Sequence, residues 1–157
     1  MTLIASNKPR LTKIHPKIKL VEFNSPEQKQ TIALRNEILR EPLGMKLDAV
    51  QLKQETQDFH FAAYYKKELV ACLVLTPYTI GDIKMRQVAV VEKYQNRGIG
   101  YILVKHVEDW AAQKGYRKMF CHARDVAVPF YEKLNYYQIG GPFEEIGIKH
   151  FRLEKTI

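Results

Sequence analysis

Residues 95–100 read Gln-Asn-Arg-Gly-Ile-Gly, and this hexapeptide constrains the chain more than any other stretch. It follows an apolar run, Val88-Ala89-Val90-Val91, and precedes a helical pattern of Ile99, Ile102, Leu103, Val107, Trp110 and Ala111. A strand that feeds a glycine-containing turn and then a helix is the layout of an anion cradle. Glycine lets the backbone come close to a ligand, and the first N–H groups of the helix have no partner within it. Pyrophosphate is the anion such a turn most often holds.

The surrounding elements follow from local patterns. Residues 1–17 are polar and basic, with Pro9 and Pro16, and read as a flexible arm ahead of a single domain over 18–157. Ile18 to Phe23 suits a first strand. Ser25-Pro26-Glu27-Gln28 supplies a cap, a proline at the first helical position and acid in the first turn, so a helix is expected to about Arg40, where Pro42 and Gly44 stop it. A short helix is expected near 48–55. Strands are expected at Phe59–Tyr65 and Glu68–Thr76, joined by a turn at Lys66-Lys67, and at Asp82–Val91. The helix from Gly98 should end near Gly115. A strand at Lys118–Ala123, a helix at Val126–Leu134 and strands at Tyr136–Ile139 and Lys149–Leu153 complete a mixed α/β order.

The 157 residues suffice for one domain with a substantial core, and no linker or repeat divides them. No apolar run reaches membrane-spanning length, and the first residues lack the apolar stretch of a secretory signal, so the expectation is a cytoplasmic protein with no membrane partner. Cys72 and Cys121 sit in apolar strands without a CxxC spacing, which suits buried reduced thiols. His60, His122 and His150 lack ligand spacing, so no metal site is expected. The net charge of +8 suits an anionic ligand, but the basic residues are dispersed and no specific nucleic-acid role is expected.

Three segments together resemble the GNAT superfamily of N-acetyltransferases. Gln95-Asn96-Arg97-Gly98-Ile99-Gly100 is similar to that family's acetyl-CoA pyrophosphate signature, Gln/Arg-x-x-Gly-x-Gly/Ala. Gln87-Val88-Ala89-Val90 is similar to the strand before it. Pro129-Phe130-Tyr131-Glu132-Lys133-Leu134-Asn135-Tyr136 is similar to its Phe-Tyr-Glu-Lys-Leu-Gly-Phe helix, with Asn135 where glycine is usual. Asn also tolerates a left-handed backbone. The segments Leu34–Gly44 and Phe143–His150 look like a bacterial subgroup similar to the ElaA and YjcF proteins, with Lys149 where that subgroup has proline. The resemblance implies a mixed, mostly antiparallel sheet of six or seven strands with helices on both faces, its fourth and fifth strands splayed apart. Homodimers are common in the family.

The resemblance further implies transfer of an acetyl group from acetyl-CoA to a primary amine by direct attack in a ternary complex. The backbone of Gln95, Asn96, Arg97, Gly98, Ile99 and Gly100 would hold the pyrophosphate, with a charge-assisted contact from Arg97. The backbone of Val88, Ala89 and Val90 would meet the pantetheine arm, and the Val90 N–H would donate to the thioester carbonyl. Tyr131 matches the tyrosine that donates to the departing sulfur, since a phenol with a reference pKa of about 10 stays protonated at neutral pH.

The general base is left open. Many relatives place a glutamate six residues before the position of Val90, and here that residue is Lys84. Candidates are Glu92, His122, Glu144, Glu145, His150 or water. The acceptor, a small-molecule or protein amine, would lie between Leu39–Lys46 and Pro142–His150, where Glu41, Asp48, Glu144 and Glu145 could attract a cation. The competing reading is a non-catalytic acyl-CoA-binding sensor or partner module.

Overall fold

The computed structural model describes residues 12–157, so most of the basic N-terminal segment lies outside the described residues. Seven strands form one sheet: β1 Lys17–Val21, β2 Phe59–Tyr65, β3 Glu68–Pro77, β4 Asp82–Val90, β5 Lys118–Arg124, β6 Tyr137–Glu145 and β7 Ile148–Thr156. Their order is β1-β2-β3-β4-β5-β7-β6, and every neighbouring pair is antiparallel except β4 and β5. The helices are α1 Pro26–Arg35, α2 Ala49–Lys53, α3 Ile99–Gln113 and α4 Val128–Lys133. A parallel β4–α3–β5 crossover inside an antiparallel sheet puts the glycine turn at the sheet's centre.

Local rules account for most boundaries. The Ser25 side chain accepts from the Gln28 N–H at 3.1 Å, with Pro26 in the first turn, as the sequence predicts. Lys66 and Lys67 both take positive φ, 51° and 66°, the geometry that suits a two-residue hairpin. Gly115 at φ +96° closes α3, and Asn135 at φ +70° closes the turn after α4, where the family's glycine stands. On one side of the sheet α3 buries Ile99, Leu103, Val104, Val107 and Ala111 in a cluster with Phe61, Leu73, Met119 and Leu153. On the other side Leu34 packs with Cys72 and Ala89, flanked by Ile38 and Leu39.

Three expectations are corrected. The first strand lies slightly earlier than Ile18–Phe23. The first helix does not run as one α-helix to Arg40: it ends at Arg35 and continues as a π-helical turn over Asn36–Arg40 and a 3-10 turn over Glu41–Leu43. The Glu41 N–H donates to the Asn36 carbonyl, and the Asn36 side chain accepts from the Leu47 N–H at 2.8 Å, which ties the wide turn to the following loop. The sixth strand extends to Glu145 despite Gly140, Gly141 and Pro142. It is an edge strand, and its pairing with β7 is interrupted between Ile139 and Phe143, so the proline interrupts no regular ladder.

The sheet opens where it meets the helix start. Strands β4 and β5 pair only from Asp82–Lys118 to Met85–Cys121 and then part. At that level β4 carries one extra residue: Cys72 faces Ala89 and Val74 faces Arg86, so Leu73 stands opposite both Gln87 and Val88. Gln87 takes φ +56°, a conformation non-glycine residues adopt at a cost. A fully buried arginine sits beneath it. Arg35 is 0 % exposed and donates to both Glu55 carboxylate oxygens at 2.9 and 2.7 Å, while its Nε reaches the Gln87 side-chain oxygen at 3.4 Å. Glu55→Gln leaves this guanidinium with an uncompensated buried charge. Loss of about 3–5 kcal/mol of stability is expected in a urea titration.

Candidate active site

The glycine turn has the form an anion site needs. Asn96 and Gly98 take φ +62° and +81°, which turns the chain sharply into α3. The backbone N–H groups from Gly98 to Tyr101 donate to no backbone carbonyl among the described residues, and the first helical bond back to this turn is Ile102 N–H to the Gly98 carbonyl at 3.0 Å. Gly100 serves packing: a Cβ there would lie 3.2 Å from the Phe130 ring, a tight contact, so the two signature segments pack closely against each other at this position. The Arg97 Nε donates to the Thr12 carbonyl at 3.0 Å, and the Arg97 carbonyl accepts from the Ile14 N–H at 3.0 Å. Ile14 is 3 % exposed, so residues 12–14 brace the turn from outside.

Beside the turn, the parted strands open into a cavity of about 670 Å³. Val88 and Gln95 line it with Tyr131, His122, Glu145 and His150. The Val91 N–H donates to the Val70 carbonyl on β3 at 2.9 Å. By the alternation of a strand, the Val90 N–H therefore points away from β3, into the opening. The Val90 carbonyl faces the same way and accepts from the Gln95 side-chain amide at 3.0 Å. Ala89 is buried on the α1 side, so its side chain serves the core.

Tyr131 is 7 % exposed and meets the cavity from the α4 side. Burial, with a smaller contribution from Cys121, pushes its phenol well above the ordinary value, so it stays protonated across the working range of pH. The same cavity is lined by a carboxylate–imidazole pair. Glu145 Oε1 is 3.1 Å from His122 Nδ1, and Glu145 Oε2 is 3.7 Å from His150 Nε2. His150 Nδ1 lies 2.8 Å from the Ile148 carbonyl and donates to it. Burial pulls His122 below its ordinary value, and this outweighs the opposing pull of Glu145. His122 is therefore neutral at pH 7, with its proton on Nδ1 toward Glu145 and its Nε2 lone pair available. Burial works to raise the Glu145 carboxyl, but the His122 hydrogen bond with the charges of His122, Lys84 and His150 holds it below the usual value.

Of the five base candidates, His122, Glu145 and His150 meet in this cavity, whereas Glu92 and Glu144 are absent from its lining. Lys84 lines it on β4, and burial lowers its pKa. Among the four acids considered for attracting a cation, only Glu145 reaches the cavity; Asp48 instead caps α2, accepting from the Gln51 N–H at 2.7 Å. Sequence reading missed Arg35, Glu55 and Gln87, the residues that shape the opening, and Arg40 and Arg124, which line its wall.

The profile of the acetyltransferase (GNAT) family matches residues 28–136. The chain belongs to the GNAT family. It is 25% identical over 145 residues to YitI, an uncharacterized N-acetyltransferase of Bacillus subtilis (strain 168), covering 88% of this chain and 97% of YitI. A solved protein of Lactobacillus plantarum superposes with a TM-score of 0.77 at 26% identity, covering 88% of this chain and 97% of that one. A GNAT family acetyltransferase of Elizabethkingia anophelis, solved with acetyl-CoA bound, shares the fold at a TM-score of 0.71 and 22% identity, covering 90% and 98%. Among the described residues no helix is long and apolar enough to cross a membrane.

Cys121 lines the cavity, yet burial pushes its thiol up to about 12, as it does that of Cys72. Neither is poised as an acyl-accepting nucleophile. Both thiols should resist iodoacetamide at pH 7.5 in the folded protein and react in denaturant; mass spectrometry of the two samples checks this, and rapid labelling of native Cys121 would contradict it.

Proposed function

We propose that this protein is an acetyl-CoA-dependent N-acetyltransferase that carries out direct attack by a primary amine in a ternary complex. The observation that carries the reading is the convergence, on one cavity between parted strands, of a protonated buried tyrosine and a neutral histidine held by a carboxylate. The chain's own features fit the cofactor: four backbone donors at the start of α3, unpaired among the described residues, suit a pyrophosphate, and an inward-facing N–H at Val90 suits a carbonyl.

Bound acetyl-CoA would supply an activated thioester carbonyl. The residues of the chain then divide the work. Backbone donors from Gly98 to Tyr101, with Gln95, Asn96, Arg97 and Ile99 shaping the turn, anchor the phosphates. The Val90 N–H donates to the carbonyl oxygen as negative charge develops there, while Val88 and Ala89 carry the strand backbone along the thioester arm. His122 Nε2 takes the proton of the incoming ammonium, and Glu145 holds the ring in the tautomer this requires and stabilises the resulting imidazolium. The role of the glutamate that many relatives carry at the place of Lys84 thereby passes to an imidazole from β5 held by a carboxylate from β6. Tyr131 would give its proton to the sulfur as the C–S bond breaks, and the second proton that the nitrogen sheds on becoming an amide would restore the phenol. A sensor that binds acyl-CoA without turnover would have no use for a His–Glu pair and a protonated tyrosine on one cavity.

Two outcomes test this. Tyr131→Phe should lower kcat by about a hundredfold with little change in acetyl-CoA affinity, read by thiol release and calorimetry; an unchanged rate removes its acid role. For the pH profile, His122 must be neutral to act, and its pKa lies below the reference value of about 6.5. The rate should therefore fall as pH drops below that value. His122→Gln should lower kcat and abolish that limb; a variant that keeps both would assign the proton to another group.

A further inference from the structure

The lining of the cavity is cationic. Arg40, Lys84, Arg86 and Arg124 line it, against one lining carboxylate, Glu145, which is already engaged by two histidines. Arg86 is partly neutralised by Glu55 and Asp58 at 3.6 and 3.4 Å. Arg40 and Arg124 have no such partner among the described residues. Instead both guanidinium groups converge on a single neutral acceptor, the Leu39 carbonyl, at 3.3 Å from Arg40 Nη1 and 2.9 Å from Arg124 Nη2. Arg40 lies on the π-helical turn and is only 7 % exposed. Burial and the like charges of Arg124, Arg35 and Arg86 together lower the Arg40 pKa. Two arginines drawn together at a cavity wall, one of them buried and repelled by its neighbours, are stabilised by an anion that bridges them, and a planar guanidinium pair suits a carboxylate or phosphate.

We infer that the acceptor amine carries an anionic group, carboxylate or phosphate, which Arg40 and Arg124 bind while the amine lies at His122. The inference rests on the acetyl-transfer reading and deepens it. It also reverses the expectation that acidic side chains would draw in a cationic acceptor: the one lining carboxylate is held by histidines, while two guanidinium groups face no carboxylate among the described residues.

The test is a paired screen of initial rates of thiol release from acetyl-CoA. Each common amino acid is supplied as the free acid and as the carboxamide, and phosphoethanolamine is compared with ethanolamine. The best acceptor is expected to be anionic, with kcat/KM at least about tenfold above its neutral partner, and the better of the two series identifies carboxylate or phosphate. Arg124→Gln should erase this preference through a raised KM for the anionic acceptor, and Arg124→Lys should restore part of it. Neutral partners that react equally well overturn the anionic acceptor while acetyl transfer stands. If Arg124→Gln instead weakens acetyl-CoA binding in calorimetry, the arginines serve the cofactor and the inference falls. If no amine releases thiol, the inference and the transferase reading fall together.

Discussion

The separation of β4 from β5 beyond Met85 and Cys121 is the constraint on which the rest of the site depends. A continuous parallel ladder would spend the Val90 N–H on a neighbouring strand and leave no room between Gln95 and Tyr131. The separation is held by a defined device. One extra residue on β4 bends the strand at Gln87, the left-handed Gln87 backbone is tied through its side chain to Arg35, and Arg35 is locked to Glu55 in a buried bidentate pair. A buried ion pair of this kind contributes little net stability compared with apolar packing, but its rigid fork geometry suits a part that must fix a position. It couples α1 and the segment after α2 to the strand that carries the cavity wall.

From that opening the functional groups arrive by separate routes. The crossover from β4 to α3 brings the unpaired N–H groups of Gly98 to Tyr101 to one end. Packing of Phe130 against Gly100 sets α4 beside α3 and thereby brings Tyr131 to the wall. The edge pairing of β6 with β7 carries Glu145 to His122 and His150. The π-helical turn after α1 carries Arg40, and the Leu39 carbonyl on the same turn accepts from Arg124. At pH 7 the cavity therefore holds a protonated phenol, a neutral imidazole and an excess of positive charge.

What the sequence made legible was local. The glycine turn, the apolar stripe of α3, the Ser25 cap and the Phe130-Tyr131 segment are each written within a few residues, and the physics that reads them needs no knowledge of distant partners. Gln87 was not readable in this way: its left-handed backbone depends on register with β3 and on an arginine far away in the chain. Arg35 stood in a helical pattern where a charged side chain ordinarily faces solvent, and nothing nearby announced that Glu55 would meet it in the core. Arg40 fell on a π-helical turn that no local pattern foretold, and there it is buried. Glu145 was one of several acids in a polar stretch, and only strand pairing separated it from Glu144. Local order was therefore visible, and the charge pattern of the cavity was not.

The most direct test of the central claim is an amide-resolved NMR titration with acetyl-CoA. Shifts should concentrate at Gly98–Tyr101 and Val88–Val90, spread to Tyr131 and His122, and leave β1 and β2 nearly unmoved. Shifts that instead gather at the second cavity, about 430 Å³ and lined by Lys17, Lys19, Tyr64 and Lys66, or that are absent altogether, would contradict it.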